Sequence, residues 1–558
     1  MPIISGDYTY PDRTHLTKPD AFLRGAHRHS EHVSRKNAMG GKIITSRQAA
    51  ELVRDGDTLA VSGFVGFSVP DDLMQALRER FIETSAPRDL TLFHVGACGD
   101  GKDRGANRLA LDGLLRKLVC AHIGLEPEIN KLVVANKIAA FMLPQGVNSH
   151  LMRAIAGKKM GVFTHVGLKT FVDPRIEGGK ANEAARRSGE EHVKLVEIEG
   201  TEQLLFPSFP INIAFIRGSV ADEDGNVALH KEGLISDQEE IAAAAHNCGG
   251  IVIAQVDRIV SRGSLKPHDV KVHAFCVDYI VQGAKELSFQ SYLSDDYHPE
   301  WSGEYRMPLS ASAFMKLDAR KVIARRGALE LKPGMLVNLG IGVPDGVASV
   351  AAEEGINDHI TLSIESGALG GIPLPSVGIG GSANAEAFYK HADIFDIYDG
   401  GGIDLTCLGA AQIDQRGNVN VSKFGGRVVG PGGFINISQN AKKVCFCGTF
   451  TAGKQELAFK NGELNIVKDG SGIKFIKAVE QVSFSGERSL ETGQEVLYIT
   501  ERAVFKLTER GLTLAEIAPG IEVERDIFPR MEFKPAIASD LKIMDPRLFQ
   551  DEPMRLEL

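Results

Sequence analysis

The chain has 558 residues, more than one hydrophobic core normally serves, so two large domains of roughly 250 residues each are expected. Hydrophobic residues make up 43% and charged residues 24%, an ordinary globular balance, and a net charge of -9 with no basic face excludes nucleic acid as the main partner. Apolar runs such as Ile251-Val252-Ile253-Ala254 fall far short of the roughly 20 residues that cross a bilayer, so no membrane span is expected.

Residues 1–41 are polar and irregular, with Pro11, Pro19 and a group of His27, His29 and His32 among arginines. Asp7, Asp12, Asp20 and Glu31 interrupt the segment, unlike a transit peptide, and it has no apolar core of a secretory signal. It reads as an arm that packs on a neighbouring subunit, and its histidines as surface residues.

Residues 42–288 form the first domain. A helical segment over 47–53 leads to strands over 58–63, 90–95 and 131–135, with Ala/Leu-rich helical stretches between them, the alternation of an α/β fold with mainly parallel strands. Residues 289–310 are polar and turn-forming, with Asp295, Asp296, His298, Pro299, Gly303 and the only tryptophan, Trp301, and they mark a linker. The second domain, 311–558, repeats the pattern with a helix over 321–329 and strands over 336–339, 360–364 and 444–448.

The halves also match in sequence. Gly56-Asp57-Thr58-Leu59-Ala60-Val61 and the following Val69-Pro70-Asp71 parallel Gly334-Met335-Leu336-Val337-Asn338-Leu339 and Val343-Pro344-Asp345; Asp222-Glu223-Asp224-Gly225-Asn226-Val227 parallels Asp414-Gln415-Arg416-Gly417-Asn418-Val419. Two matches in one order predict two related open α/β domains, the first carrying a long insertion. The seven cysteines are odd in number and scattered, which suits a reducing compartment. Cys445 and Cys447 share one strand face, but no further ligand lies near them, so they read as small buried hydrophobes and no metal site is expected.

The most informative stretch is Thr361-Leu362-Ser363-Ile364 running into Glu365-Ser366-Gly367-Ala368-Leu369-Gly370-Gly371. An acid at a strand's carboxyl end faces a ligand cleft, and the glycines let a ligand approach the backbone. Three glycine-rich loops accompany it: Gly340-Ile341-Gly342-Val343, whose N–H groups suit an anion, then Gly401-Gly402, and Gly432-Gly433. Together they suggest a site for a long, phosphate-bearing ligand. Asp399 and Asp404 read as turn or capping residues.

In order along the chain, Gly340 through Glu365 to Gly371, then Gly401-Gly402-Ile403-Asp404-Leu405-Thr406, and Gly430-Pro431-Gly432-Gly433, resemble the β half of the acetate/3-ketoacid CoA-transferases. Asp55-Gly56, Ser62-Gly63-Phe64 and Pro70 resemble the glycine-rich signature of the α half, although Ser62 and Ser68 stand where glycine is usual. Thr170-Phe171-Val172-Asp173-Pro174-Arg175 and Gly178-Gly179-Lys180 look like the single-chain propionate or acetate CoA-transferase branch, as does Ile364-Glu365-Ser366-Gly367 in place of Ser-Glu-Asn-Gly.

The resemblance implies transfer of CoA from a short-chain acyl-CoA to a carboxylate such as acetate, by a ping-pong path through a glutamyl-CoA thioester on Glu365. CoA is then a substrate, with no tightly bound cofactor. Gly340, Ile341, Gly342, Val343, Gly401, Gly402, Gly432, Gly433 and Lys454 are the expected CoA-binding positions. A homotetramer or dimer in the cytoplasm is expected by the same analogy. Two alternatives stand beside it: an acyl-CoA hydrolase using the same glutamate, and a ligand-sensing protein on the same scaffold. A nicotinamide dehydrogenase is disfavoured, because the loops lack Gly-x-Gly-x-x-Gly with an acid about 20 residues on.

Overall fold

The computed structural model describes residues 41–308 and 314–558. The expected N-terminal arm, with His27, His29 and His32, thus lies outside the described residues except for Gly41.

In the first half, β1 (Thr58–Val61), β2 (Leu90–Phe93), β3 (Leu115–Cys120), β4 (Ala139–Met142), β5 (Ile213–Asp222), β6 (Ile251–Val260) and β7 (Tyr279–Gln282) are all parallel, in the order β7-β6-β5-β1-β2-β3-β4. Strands such as β2 are buried along their whole length, as expected for a sheet covered on both faces. In the second half, β8 (Leu336–Leu339), β9 (Thr361–Ser363), β10 (Leu405–Leu408), β11 (Lys443–Cys447) and β12 (Glu495–Ile499) are parallel in the order β9-β8-β10-β11-β12. The antiparallel β13 (Ala503–Thr508) and β14 (Gly511–Ile517), then β15 (Ala536–Ile543), extend that sheet.

The repeat seen in sequence is therefore a repeat of topology: β2-β1-β5-β6-β7 and β9-β8-β10-β11-β12 are the same strand order. The first half inserts β3 and β4 within residues 94–212, where the second spans 364–404. The matching turns agree in detail. Asp222 Oδ1 accepts from the N–H groups of Asp224 (3.1 Å) and Asn226 (2.9 Å), and Asp414 Oδ1 from those of Arg416 (2.9 Å) and Asn418 (3.0 Å). In each turn the asparagine amide returns to Oδ2.

One expected strand is a helix. Residues 131–134 fall within the helix Pro127–Val134, which Ala135 caps; proline occupies its first turn and Ile129 and Val133, four apart, are buried on one face. A short apolar run is compatible with either element, and Pro127-Glu128 was the distinguishing signal.

Each half has its own hydrophobic core, and Val428 and Ile435 of the second half join the first. A smaller apolar cluster bridges the two: Phe64, Phe67, Leu234, Trp301 and Ala383. Trp301, from the segment expected as linker, is buried, stacks on His298 and meets Phe67 edge-on. Gly380 and Gly381 make room for the first half here, since a Cβ at either would lie 2.4 or 2.5 Å from the rings of Phe64 and Phe67. Elsewhere between the halves Phe171 N–H donates to Val482 O (2.8 Å), Gln481 Nε2 to Glu177, and Lys169 pairs with Glu487 and Glu491. The stretch 167–180 thus fastens one half to the other. No helix among the described residues is long and apolar enough to cross a membrane.

Candidate active site

Four helices bear on Glu365: α1 (Gln145–Ala156) and α2 (Gln238–Asn247) of the first half, and α3 (His391–Asp399) and α4 (Phe434–Asn440) of the second. β9 ends at Ser363 and the chain reverses at once. Ile364 N–H donates to Ala368 O and Gly367 N–H to Ile364 O, both 2.9 Å, which leaves Glu365 at the corner of the turn. Gly367 has φ 110°, and a Cβ there would stand 2.1 Å from the carbonyl oxygen of Tyr389, so this turn requires glycine. Ser366 is buried and its hydroxyl donates to Gly380 O, which locks the turn from beneath.

The Glu365 side chain is half-buried and lies against Gly433, where a Cβ would fall 2.3 Å from Oε2. Burial raises its pKa above the usual carboxylate range; the field of His391, when that ring is protonated, and the Gln145 side chain act against the rise. Gln145 opens α1. Its N–H donates to Gly432 O (3.1 Å), and its Nε2 lies 3.0 Å from His391 Nε2. His391 Nδ1 in turn lies 2.7 Å from Asp237 Oδ2, and Ser149 Oγ donates to Asp237 Oδ1. His391 and Asp237 are each 1% exposed. One carboxylate from the second half is thus backed by groups from both.

The first half has no counterpart acid. Pairing Thr58 with Leu336 through the sequence repeat, and following the strand registers Thr58 to Thr91 and Leu336 to Thr361, sets Val95 opposite Glu365.

The expected ligand loops divide by position. Gly340 N–H is spent on Cys407 O (2.8 Å) and Gly342 N–H on Asp345 Oδ2 (3.1 Å), whereas the N–H groups of Ile341, which is 63% exposed, and Val343 meet no acceptor among the described residues. Gly432 N–H goes to Ala121 O (2.9 Å), and that of Gly433, beside Glu365, meets none among the described residues. Lys454 is exposed beyond β11, on the carboxyl side of the sheet.

Gly401 and Gly402 are not with them. Their N–H groups close α3 onto Tyr398 O and Ile397 O, immediately before β10, so they lie at the amino end of the parallel strands while Glu365 lies at the carboxyl end. A cavity of about 520 Å³ opens there, lined in part by His165, Asp399, Gln439, Asn440 and Arg488. Cys445 and Cys447 are free and buried in the second core with Cys407.

Sequence reasoning missed Gln145, His391 and Asp237. Pro144-Gln145-Gly146, directly after the β4 run, had the form of a helix start at a strand's carboxyl end; nothing local distinguished the other two.

Paired open α/β halves closing on one strand-end carboxylate define a two-domain α/β protein with a candidate acid at its seam. The family model described as coenzyme A transferase matches residues 43–283 and 320–525. The chain is 47% identical to caffeate CoA-transferase of Acetobacterium woodii, over 92% of this chain and 98% of that one. It is 40% identical to the acetate CoA-transferase YdiF of Escherichia coli K12, over 92% and 96%. The acyl-CoA transferase YdiF of E. coli O157:H7, solved as a thioester complex with CoA, superimposes with a TM-score of 0.87 at 39% identity, covering 93% of this chain and 98% of that one. The chain belongs to the coenzyme A transferase family, and it transfers CoA between acyl-CoA and carboxylate.

Proposed function

We propose that Glu365 is the nucleophile of that transfer. The observation that carries this reading is a carboxylate at the carboxyl end of β9, set between the halves and lying against Gly433, whose N–H meets no acceptor among the described residues. Being acidic, Glu365 needs no general base. Its carboxylate attacks the acyl-CoA carbonyl and CoA thiolate leaves, forming a mixed anhydride. The thiolate then attacks the Glu365 carbonyl carbon, the first carboxylate departs, and Glu365 carries CoA as a thioester. An incoming carboxylate runs the same steps in reverse, so no proton is gained or lost.

The donor for the oxyanion formed at Glu365 is Gly433 N–H, worth about 3 kcal/mol in the transition state by comparison with other oxyanion holes. Ile341 and Val343 N–H groups receive the acyl or carboxylate oxygen, with Gly340, Gly342 and Gly432 shaping the loops. Lys454 meets the phosphate end of CoA, where binding energy is used to stabilise the transition state at the reacting centre. Gly401 and Gly402, at the opposite edge, have no part in it.

For substrates we propose a short-chain acyl-CoA, including propionyl-CoA, with acetate or another small carboxylate as acceptor. The acetate enzyme at 40% identity and the propionate-like Ile364-Glu365-Ser366-Gly367 support this, and the caffeate enzyme at 47% makes an aryl acid the necessary comparison. A homotetramer or dimer in the cytoplasm is part of the same reading, its compartment supported by seven cysteines that form no disulfide; light scattering tests the assembly.

Borohydride treatment of the enzyme after incubation with acyl-CoA is expected to reduce a thioester at Glu365, read by peptide mass. Glu365→Ala is expected to lose at least about 10⁴-fold in kcat while keeping its fold. A label on any other side chain overturns the assignment. Acyl-CoA paired with acetate, propionate or caffeate and read by mass spectrometry assigns the acceptor, and accumulation of free CoA in place of a new acyl-CoA would mean hydrolysis.

A further inference from the structure

Behind Glu365 lies a chain of buried polar contacts that the transfer chemistry does not require: Gln145 Nε2 to His391 Nε2 at 3.0 Å, His391 Nδ1 to Asp237 Oδ2 at 2.7 Å, and Ser149 Oγ to Asp237 Oδ1. Four side chains from two halves, in contact and out of water, are costly to assemble unless each donor finds an acceptor. Their directions can be derived. The Asp237 carboxylate only accepts, so His391 Nδ1 carries a proton and donates to it. Gln145 Nε2 is a donor, so His391 Nε2 presents its lone pair, and the imidazole is neutral in this arrangement. The Gln145 side chain also stabilises the Glu365 carboxylate, and because a carboxylate only accepts, the second N–H of the amide is the group assigned to that role. Gln145 Oε1 is turned the other way, toward Gly96 and Gly432.

We propose that His391, fixed by Asp237, is a positioning residue that holds the Gln145 carboxamide with its NH2 toward the Glu365 nucleophile. Without an acceptor at the His391 Nε2 position, the amide has no reason to keep that orientation. Turned over, it would set its oxygen against the carboxylate it now supports. The rings of Phe64 (5.6 Å between centroids) and Phe395 (5.3 Å) hold the imidazole plane, so its reach to Gln145 is fixed by packing as well as by Asp237. Burial disfavours a proton on His391, but Asp237, Glu365 and Glu240 favour it and together raise its pKa, so the neutral form that holds the amide is lost as pH falls through that raised value. A protonated Nε2 needs an acceptor, which the amide supplies only by turning over. The device therefore fails on the acid side. The inference rests on Glu365 being the nucleophile.

The test uses His391→Phe, which keeps a ring in the aromatic contact but offers no acceptor, and His391→Gln, whose side-chain oxygen reaches the Nε2 position. Thioester formation at Glu365 is followed in a single turnover with acetyl-CoA. His391→Phe is expected to slow this step roughly 10- to 100-fold, the size of one hydrogen bond to a charged group, with KM for acetyl-CoA within about twofold of wild type. His391→Gln is expected to recover most of the rate, and its acid limb is expected to lose the His391 titration. In a Gln145→Ala background His391→Phe is expected to cost no more than about twofold, because the group it positions is gone.

A His391→Phe enzyme that acylates at the wild-type rate, a His391→Gln enzyme as slow as His391→Phe, or full additivity with Gln145→Ala would overturn the proposal. If Gln145→Ala proves unfolded, near-UV circular dichroism shows it, and the His391→Gln recovery with its pH profile decides alone. A wild-type label found away from Glu365 would instead overturn the nucleophile assignment, so the two failures are distinguishable.

Discussion

At the residue scale the structure separates two acids that stand at opposite ends of one sheet. Glu365 is desolvated but held by a neutral amide and an imidazole; burial pushes Asp399 up to about 7, and among the described residues it takes hydrogen bonds only from the amides of Asn436 and Asn440, with Asp396 nearby. Because its folded pKa lies above the ordinary value near 4, its protonated form favours the fold. That contribution is fully present below about pH 4 and is lost as pH rises through about 7. Asp399→Asn keeps an acceptor for Asn436 and removes the titration. Chemical denaturation is expected to show the variant gaining about 2–3 kcal/mol on wild type between pH 5 and pH 8.

Glu365 was legible in the sequence because a strand, an acid and a glycine-rich turn are contiguous. Gln145, His391 and Asp237 were not, because what unites them is the closure of two halves far apart along the chain. His391 offers no local mark beyond opening a helix.

At the scale of elements, the lesson concerns which end of a strand a loop serves. Gly401-Gly402 and Gly432-Gly433 look alike as strings. The first pair follows a helix and precedes β10, so it closes that helix at the amino edge; the second lies against Glu365 and opens α4. Reading the order of elements around each pair would have separated them. The misassigned strand at 131–135 has the same origin, a short apolar run judged without the proline that starts its helix.

The turn holding Glu365 tolerates no such ambiguity. Gly367→Ala places a side chain at φ 110° against the carbonyl of Tyr389. It is expected to cost about 2–4 kcal/mol in urea denaturation and, by shifting Glu365, to lower kcat at least about 100-fold. Ser366→Ala, which removes only the bond to Gly380 O, is expected to cost about 1–2 kcal/mol.

At the scale of the molecule, two cores are joined by an apolar cluster and, separately, by a polar clasp. The surface pairs of the clasp contribute little each, while Phe64, Phe67 and Trp301 exclude water and set the register of the halves. Expressed as separate chains, residues 1–308 and 309–558 are each expected to be inactive, and the second, though it contains Glu365, is expected to form no thioester. Mixing them is expected to restore transfer to within about tenfold, read as acetyl-CoA formed per minute; activity in the second chain alone would show that Gln145 and its support are dispensable.

Duplication gave this polypeptide two strand ends of the same design and only one of them an ionisable tip. Val95, at the uncharged twin, makes the first half a fixed wall and a supplier of amides and acids, not a second workshop. With Glu365 as the proposed nucleophile, each chain is expected to carry one covalently held CoA at most, so the capacity of any assembly is set by counting polypeptides, not domains.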